Sequence, residues 1–230
     1  MPNFLEIILQ KSQEHVSKDP AKGYLESRGV TQAEIDQIGL GYFPKEEWPP
    51  YFKAGASEDI DAYLKWSGKG HWLRGKLVFP MRNPSGHLVG IQTRSPDPDQ
   101  KDYSKFYLKR SKVDAVFFGI DVAMPHIWQT REVFLCEGIF DFFPLHRVFP
   151  NSVCTGTANV SNKQIEFLRR FVSDVVVVFD TDWGGNEFFN KFNTHYKGEF
   201  DSIIRITPQG KDISMGDKGL RDKWMAGRLS

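Results

Sequence analysis

The run Val175-Val176-Val177-Val178-Phe179, stopped abruptly by Asp180, limits the possible folds more than any other stretch of the chain. It is too short for a buried helix and too uniformly apolar for a strand with one wet face, so it predicts a strand buried on both sides. Such strands belong to parallel sheets, whose crossovers lay helices over both faces. Three further runs fit this reading. Val133-Phe134-Leu135-Cys136 ends at Glu137-Gly138, Asn151-Ser152-Val153-Cys154 ends at Thr155-Gly156-Thr157, and Ile203-Ile204-Arg205-Ile206 ends at Pro208-Gln209-Gly210. Between the second and third strands, Ser161 and Gln164 make a capping box ahead of Ile165, Leu168 and Val172 on one helical face. Segments 139–148 and 184–197 supply the remaining crossover helices.

The first half reads differently. Asp19-Pro20 opens a helix that Gly29 stops, and Thr31 with Glu34 caps a second short helix ending near Ile38-Gly39. Residues 44–60, with Pro44, Pro49, Pro50 and Gly55, read as loop. Residues 76–82 and 87–92 form two apolar runs across the turn Asn83-Pro84-Ser85-Gly86, and a third strand is predicted at 105–108 after a loop over 94–102. The expected organisation is α/β: a mixed α+β amino-terminal subdomain at 1–125, a mainly parallel, Rossmann-like subdomain at 126–215, and a short tail at 216–230.

Net charge over the 230 residues is only +1, but it is unevenly spread. Residues 1–64 carry 6 Lys/Arg against 11 Asp/Glu, whereas residues 65–112 carry 11 against 3. A +8 segment can be a phosphate-binding surface or simply a solvated face. The 19 Phe and 6 Trp are enough to fill a core and also to offer stacking surfaces. The two cysteines, Cys136 and Cys154, have no metal-ligand spacing and read as buried thiols in a reducing compartment. No stretch is long and apolar enough to span a membrane, and residues 1–10 lack a signal-peptide pattern, so a cytoplasmic protein without membrane partners is expected.

In parallel sheets the working site lies at the carboxyl ends of the strands, and the acids fall there. In chain order, Glu137 follows the first run, Asp180 and Asp182 follow the third, Asp141 lies one helical turn past Glu137, and Asp212 follows the fourth. One Asp at a strand end is ordinarily a helix cap. Acids at three strand ends repel one another unless cations neutralise them, and hard oxygen donors select Mg²⁺ or Mn²⁺.

Glu137-Gly138-Ile139-Phe140-Asp141, Gly156-Thr157, Asp180-Thr181-Asp182 with Gly185, and Pro208-Gln209-Gly210-Lys211-Asp212 together resemble the Toprim domain of bacterial-type (DnaG-like) DNA primases. Upstream, Tyr24 to Gly29, Leu40 to Pro44, Gly75 to Arg82 with Gly86, Val89-Gly90 and Arg94, and Lys105 to Leu108 with Phe117 to Gly119 resemble the primase amino-terminal region. The resemblance runs over about residues 20–213. It implies a polymerase making RNA primers on single-stranded DNA from NTPs during replication. Glu137, Asp180 and Asp182 would be the catalytic acids, and Asp141 and Asp212 additional metal ligands. Arg28, Lys76, Arg94, Lys105 and Lys112 would contact template, nucleotide or primer.

Some features depart from that pattern. No zinc-ligand cluster is present, so no zinc is expected, and initiation would depend on a separate zinc-domain protein or a replicative helicase as partner. Ser214 stands where a second acid is common, and Trp183-Gly184 where a small pair is commoner. Trp183 could stack on a base or pack against a domain. Arg28 also reads as a solvated helix residue and Lys105 as a strand-edge lysine. A Toprim nuclease and a non-catalytic nucleic-acid-binding adaptor are the alternatives. The basic segment weighs against the first and the intact acids against the second.

Overall fold

The computed structural model describes residues 4–45, 73–97, 117–157, 159–179 and 182–207, and the backbone of 103–107. The chain divides into two compact units, Met1–Met81 with Leu88–Val113, and Arg82–His87 with Asp114–Ser230.

The first unit contains α1 (Phe4–Gln13), α2 (Ala21–Ser27) and α3 (Gln32–Ile38), followed by an antiparallel sheet in the order β1-β2-β3-β4. Its strands are β1 (Gly41–Phe43), β2 (Lys76–Arg82), β3 (Leu88–Arg94) and β4 (Tyr103–Tyr107). The Thr31–Glu34 capping box forms in both directions, and α3 ends at Gly39 in the left-handed conformation. At the start of α2 the cap falls one residue past Asp19. Pro20 occupies the cap position, and Asp19 accepts the Gly23 N–H at 3.2 Å. Strand β1, which the sequence did not announce, pairs with β2 in the register Gly41↔Val78. Helix α1 packs on it so closely that a side chain at Gly41 would run into Ser12. Leu5, Ile8, Leu25, Leu40, Phe43, Leu77 and Phe79 are buried.

The second unit is built on a four-stranded, all-parallel sheet in the order β6-β5-β7-β8. The strands are β5 (Glu132–Cys136), β6 (Ser152–Cys154), β7 (Asp174–Val177) and β8 (Ser202–Arg205). Helices α4 (Ile120–Thr130), α5 (Ile139–Val148), α6 (Asn162–Phe171) and α7 (Trp183–Tyr196) alternate with them. The two-sided burial read from the valine run is realised. Val133, Leu135, Val175 and Val177 pack with Ile120 and Ile127 of α4, Ile165 and Leu168 of α6, and Phe188 and Phe192 of α7. On alternate positions Phe134 stacks against Phe149, with ring centroids 3.9 Å apart, and α5 packs on β5 and β6. Helix α4 had no sequence forecast, and position 125 lies inside it. It begins at Gly119 (φ +79°), where a Cβ would stand 2.3 Å from the Phe142 ring. Among the described residues no helix is long and apolar enough to cross a membrane.

Candidate functional site

The carboxyl edge of the parallel sheet is held by a set of backbone ties. Register pairs Leu135 with Val177 and Cys136 with Cys154, so the turns after β5, β6 and β7 emerge at one edge. The Val178 N–H donates to the Leu135 carbonyl at 2.8 Å, and the Thr155 N–H donates to the Cys136 carbonyl at 2.9 Å. Glu137 is the first residue past β5. Its carbonyl accepts the Gly156 N–H at 3.0 Å and the Cys154 thiol at 3.0 Å, while the Gly156 N–H also approaches Cys154 Sγ at 3.2 Å. These contacts fix the backbone that presents the Glu137 side chain, which is half-buried. The sequence showed the two cysteines only as buried thiols. Nothing in their spacing revealed that register would lay them side by side under Glu137. Burial pushes the Cys136 thiol well above its ordinary value.

Two of the acids are held by helix starts. Asp141, in the first turn of α5, reaches back so that its Oδ2 accepts the Gly138 N–H at 3.0 Å. A Cβ at Gly138 would stand 2.4 Å from that oxygen, so glycine is what lets the carboxylate close on the backbone. Asp182 is the N-cap of α7, and its Oδ1 accepts the Gly185 N–H at 2.9 Å. The cap reading and the ligand reading of these acids are therefore compatible, since one oxygen of each is oriented by a backbone N–H. Their chemistry, carboxylate oxygens at one sheet edge, fits a hard divalent cation. Among the described residues no three His, Cys, Asp or Glu side chains come together as a metal cluster. Asp180 and Asp212, the other two expected ligands, lie outside the described residues.

The first unit brings together two of the five expected basic residues. Arg28 at the end of α2 and Arg94 at the end of β3 line one open groove of about 710 Å³ with Asp19, Tyr24, Ser27 and Pro96. Tyr24 was not singled out for its side chain, although its spacing of four from Arg28 puts both on one helical face. Arg94 is exposed, whereas Lys76 is buried at 5 % exposure. The β3–β4 register sets Lys105 opposite Gln92 and Tyr103 opposite Arg94. Lys112 lies outside the described residues.

Residues 134–215 match the Toprim-like family. Over 230 aligned residues the chain is 26 % identical to a DNA primase of Lactococcus lactis, covering 91 % of this chain and 35 % of that protein. It thus spans about a third of the length of the curated relatives it matches. Among solved structures, the zinc-binding and RNA polymerase domains of Aquifex aeolicus primase match with a TM-score of 0.80 at 23 % identity, over 97 % of this chain and 58 % of that one. A DnaG primase catalytic domain bound to single-stranded DNA matches with a TM-score of 0.75 at 16 % identity, over 96 % and 75 % of the two chains.

Proposed function

From a chain with a Toprim-like domain at residues 134–215 and the fold of primase catalytic cores, we propose a metal-dependent enzyme that makes short RNA primers on single-stranded DNA. The observation that carries this reading is the pairing of two parts in one chain. An acid-edged parallel sheet follows an antiparallel sheet with an arginine-lined groove, and the whole matches primase cores over nearly its full length.

Glu137, Asp141 and Asp182, with Asp180 and Asp212, would hold Mg²⁺ or Mn²⁺. Bound there, divalent ions would lower the pKa of an attacking hydroxyl and offset charge developing on a triphosphate. The chain's own part is positional. Gly138 and Gly185 orient the Asp141 and Asp182 carboxylates, the tie to Gly156 and Cys154 holds the Glu137 backbone, and Arg28 and Arg94 attract phosphates. Lys105 and Lys112 would extend the phosphate contact, and Lys76, buried in β2, would act from within the sheet. Sequence fidelity would come from base pairing with the template. The work would be done in the cytoplasm, with a replicative helicase or a separate zinc-domain protein as partner.

The test is incubation with single-stranded DNA, labelled NTPs and Mg²⁺ or Mn²⁺, alongside Asp180→Ala, with and without a zinc-domain protein added in trans. Short RNA products that vanish in the variant support the proposal. Cleaved DNA without new RNA would assign a nuclease, and neither product under any condition would assign a binding adaptor.

A further inference from the structure

Trp183 is 77 % exposed, more than any other large hydrophobic residue among those described. An indole left in water at the first position of a helix adds nothing to the core, and tryptophan is enriched at interfaces, where its apolar ring and its polar N–H can both be used. It stands at one end of a cleft of about 390 Å³ along α7, lined also by Asn159, Glu187, Lys191, His195 and Tyr196. That volume lies within the range of small-molecule and nucleotide pockets. Trp183 directly follows Asp182, so the cleft begins at the acid-bearing edge of the sheet.

The lining narrows the choice of occupant. Among the described lining residues the formal charges are those of Lys191 and Glu187, which pair at 2.6 Å, so this part of the lining carries no net positive charge to draw a phosphate. Its remaining groups suit a flat, neutral, hydrogen-bonding ligand. Asn159 offers an amide and Tyr196 a hydroxyl. His195 has its Nδ1 2.7 Å from the Lys191 carbonyl, which leaves Nε2 as the nitrogen for a ligand. A base has two π faces and hydrogen-bonding edges and carries no charge of its own, so this lining suits it.

We propose that this cleft takes one unpaired nucleobase of a single strand, stacked on Trp183. The inference rests on the nucleic-acid reading above and adds a base-dependent contact to it. Single strands without sequence preference are commonly held by such stacking together with backbone charge contacts, and each stacked base raises affinity about tenfold or more.

The experiment compares an oligodeoxythymidylate with an abasic oligomer of equal length and charge, using wild type, Trp183→Ala and Trp183→Phe. Equilibrium titration by anisotropy of a labelled strand at low salt gives the affinities. Wild type is expected to prefer the base-bearing strand by about tenfold. Trp183→Ala should lose that preference while binding the abasic strand as wild type does, and Trp183→Phe should keep part of it. An unchanged preference in Trp183→Ala, or strand binding by wild type with no preference for the base-bearing oligomer, would overturn the proposal. Failure of wild type to bind either strand would overturn the nucleic-acid reading and the inference together. Circular dichroism of the variants checks that the exposed substitutions leave the fold intact.

Discussion

Asp182 carries two expected roles that different substitutions separate. Its side chain caps α7 through the Gly185 N–H, and its charge is expected to help hold a divalent ion. Asp182→Ala removes both, whereas Asp182→Asn keeps an oxygen able to cap and removes only the charge. Losing an N-cap costs about 1 kcal/mol, and losing a carboxylate from a helix N-terminus costs about 0.3–1 kcal/mol. The alanine variant should therefore be roughly 1–2 kcal/mol less stable, and the asparagine variant less than about 1. At about 2–4 °C per kcal/mol for a chain of this size, Tm in chelator should fall by several degrees for alanine and by only one to three for asparagine. A bound ion stabilises further, by about 2.7 kcal/mol when free metal is ~100-fold above Kd. Melting the three proteins in chelator and in excess Mn²⁺ should show wild type rising with metal and neither variant following. If the two variants melt together in chelator, the cap does not stabilise α7. If asparagine gains as much from Mn²⁺ as wild type, Asp182 is not a ligand.

Other outcomes follow from single contacts. Gly119→Ala combines a φ of +79° with a Cβ thrust into the Phe142 ring, and should lower the unfolding free energy by roughly 2 kcal/mol or more, read as a lower denaturant midpoint at an unchanged slope. Burial raises the Asp121 carboxyl above its ordinary value, against the lowering effects of hydrogen bonds from the backbone at Asp121 and Val122 and of Arg82, 3.8 Å away. A raised folded-state pKa gives stability that is present below the unfolded value of about 3.9 and is lost as pH rises through the folded one. The Tm difference between Asp121→Asn and wild type should accordingly move in favour of the variant as pH rises above about 4, and a flat or reversed trend would remove burial as the cause. Arg94→Ala should weaken single-strand binding regardless of sequence and reduce the slope of log affinity against log salt by about one, as titration at several salt concentrations would reveal. Gly138→Ala should displace the Asp141 carboxylate and weaken divalent binding measured by calorimetry, with far less effect on Tm than Gly119→Ala.

The parallel sheet was legible because its signal is local. Four valines and a phenylalanine ended by an acid leave few structures open, and the Thr31–Glu34 and Ser161–Gln164 boxes name their own helix starts. Strand β1 was not legible, because Gly41-Tyr42-Phe43 is three residues long and becomes a strand only by pairing with β2. Helix α4 was missed for a similar reason. Pro125 interrupts its pattern, and its start at Gly119 depends on a left-handed turn rather than a polar cap. The acids were readable as strand-end residues, and Asp141 and Asp182 indeed also serve helix starts. Which backbone group each one holds depended on three-dimensional closure, as did the convergence of Arg28 with Arg94 from elements 66 positions apart in the chain.

The two cysteines under Glu137 also make the site edge its own reporter. They are the chain's entire complement of thiols, both fully buried, and Cys154 holds the Glu137 carbonyl. A thiol so enclosed reacts with an alkylating reagent only when the structure around it opens. The rate of labelling in the native protein is then a clock for how often the strand ends bearing the first acid come apart, read without introducing a single foreign residue. Slowing of that clock by Mn²⁺ would be the sign that an ion binds at this edge and closes it.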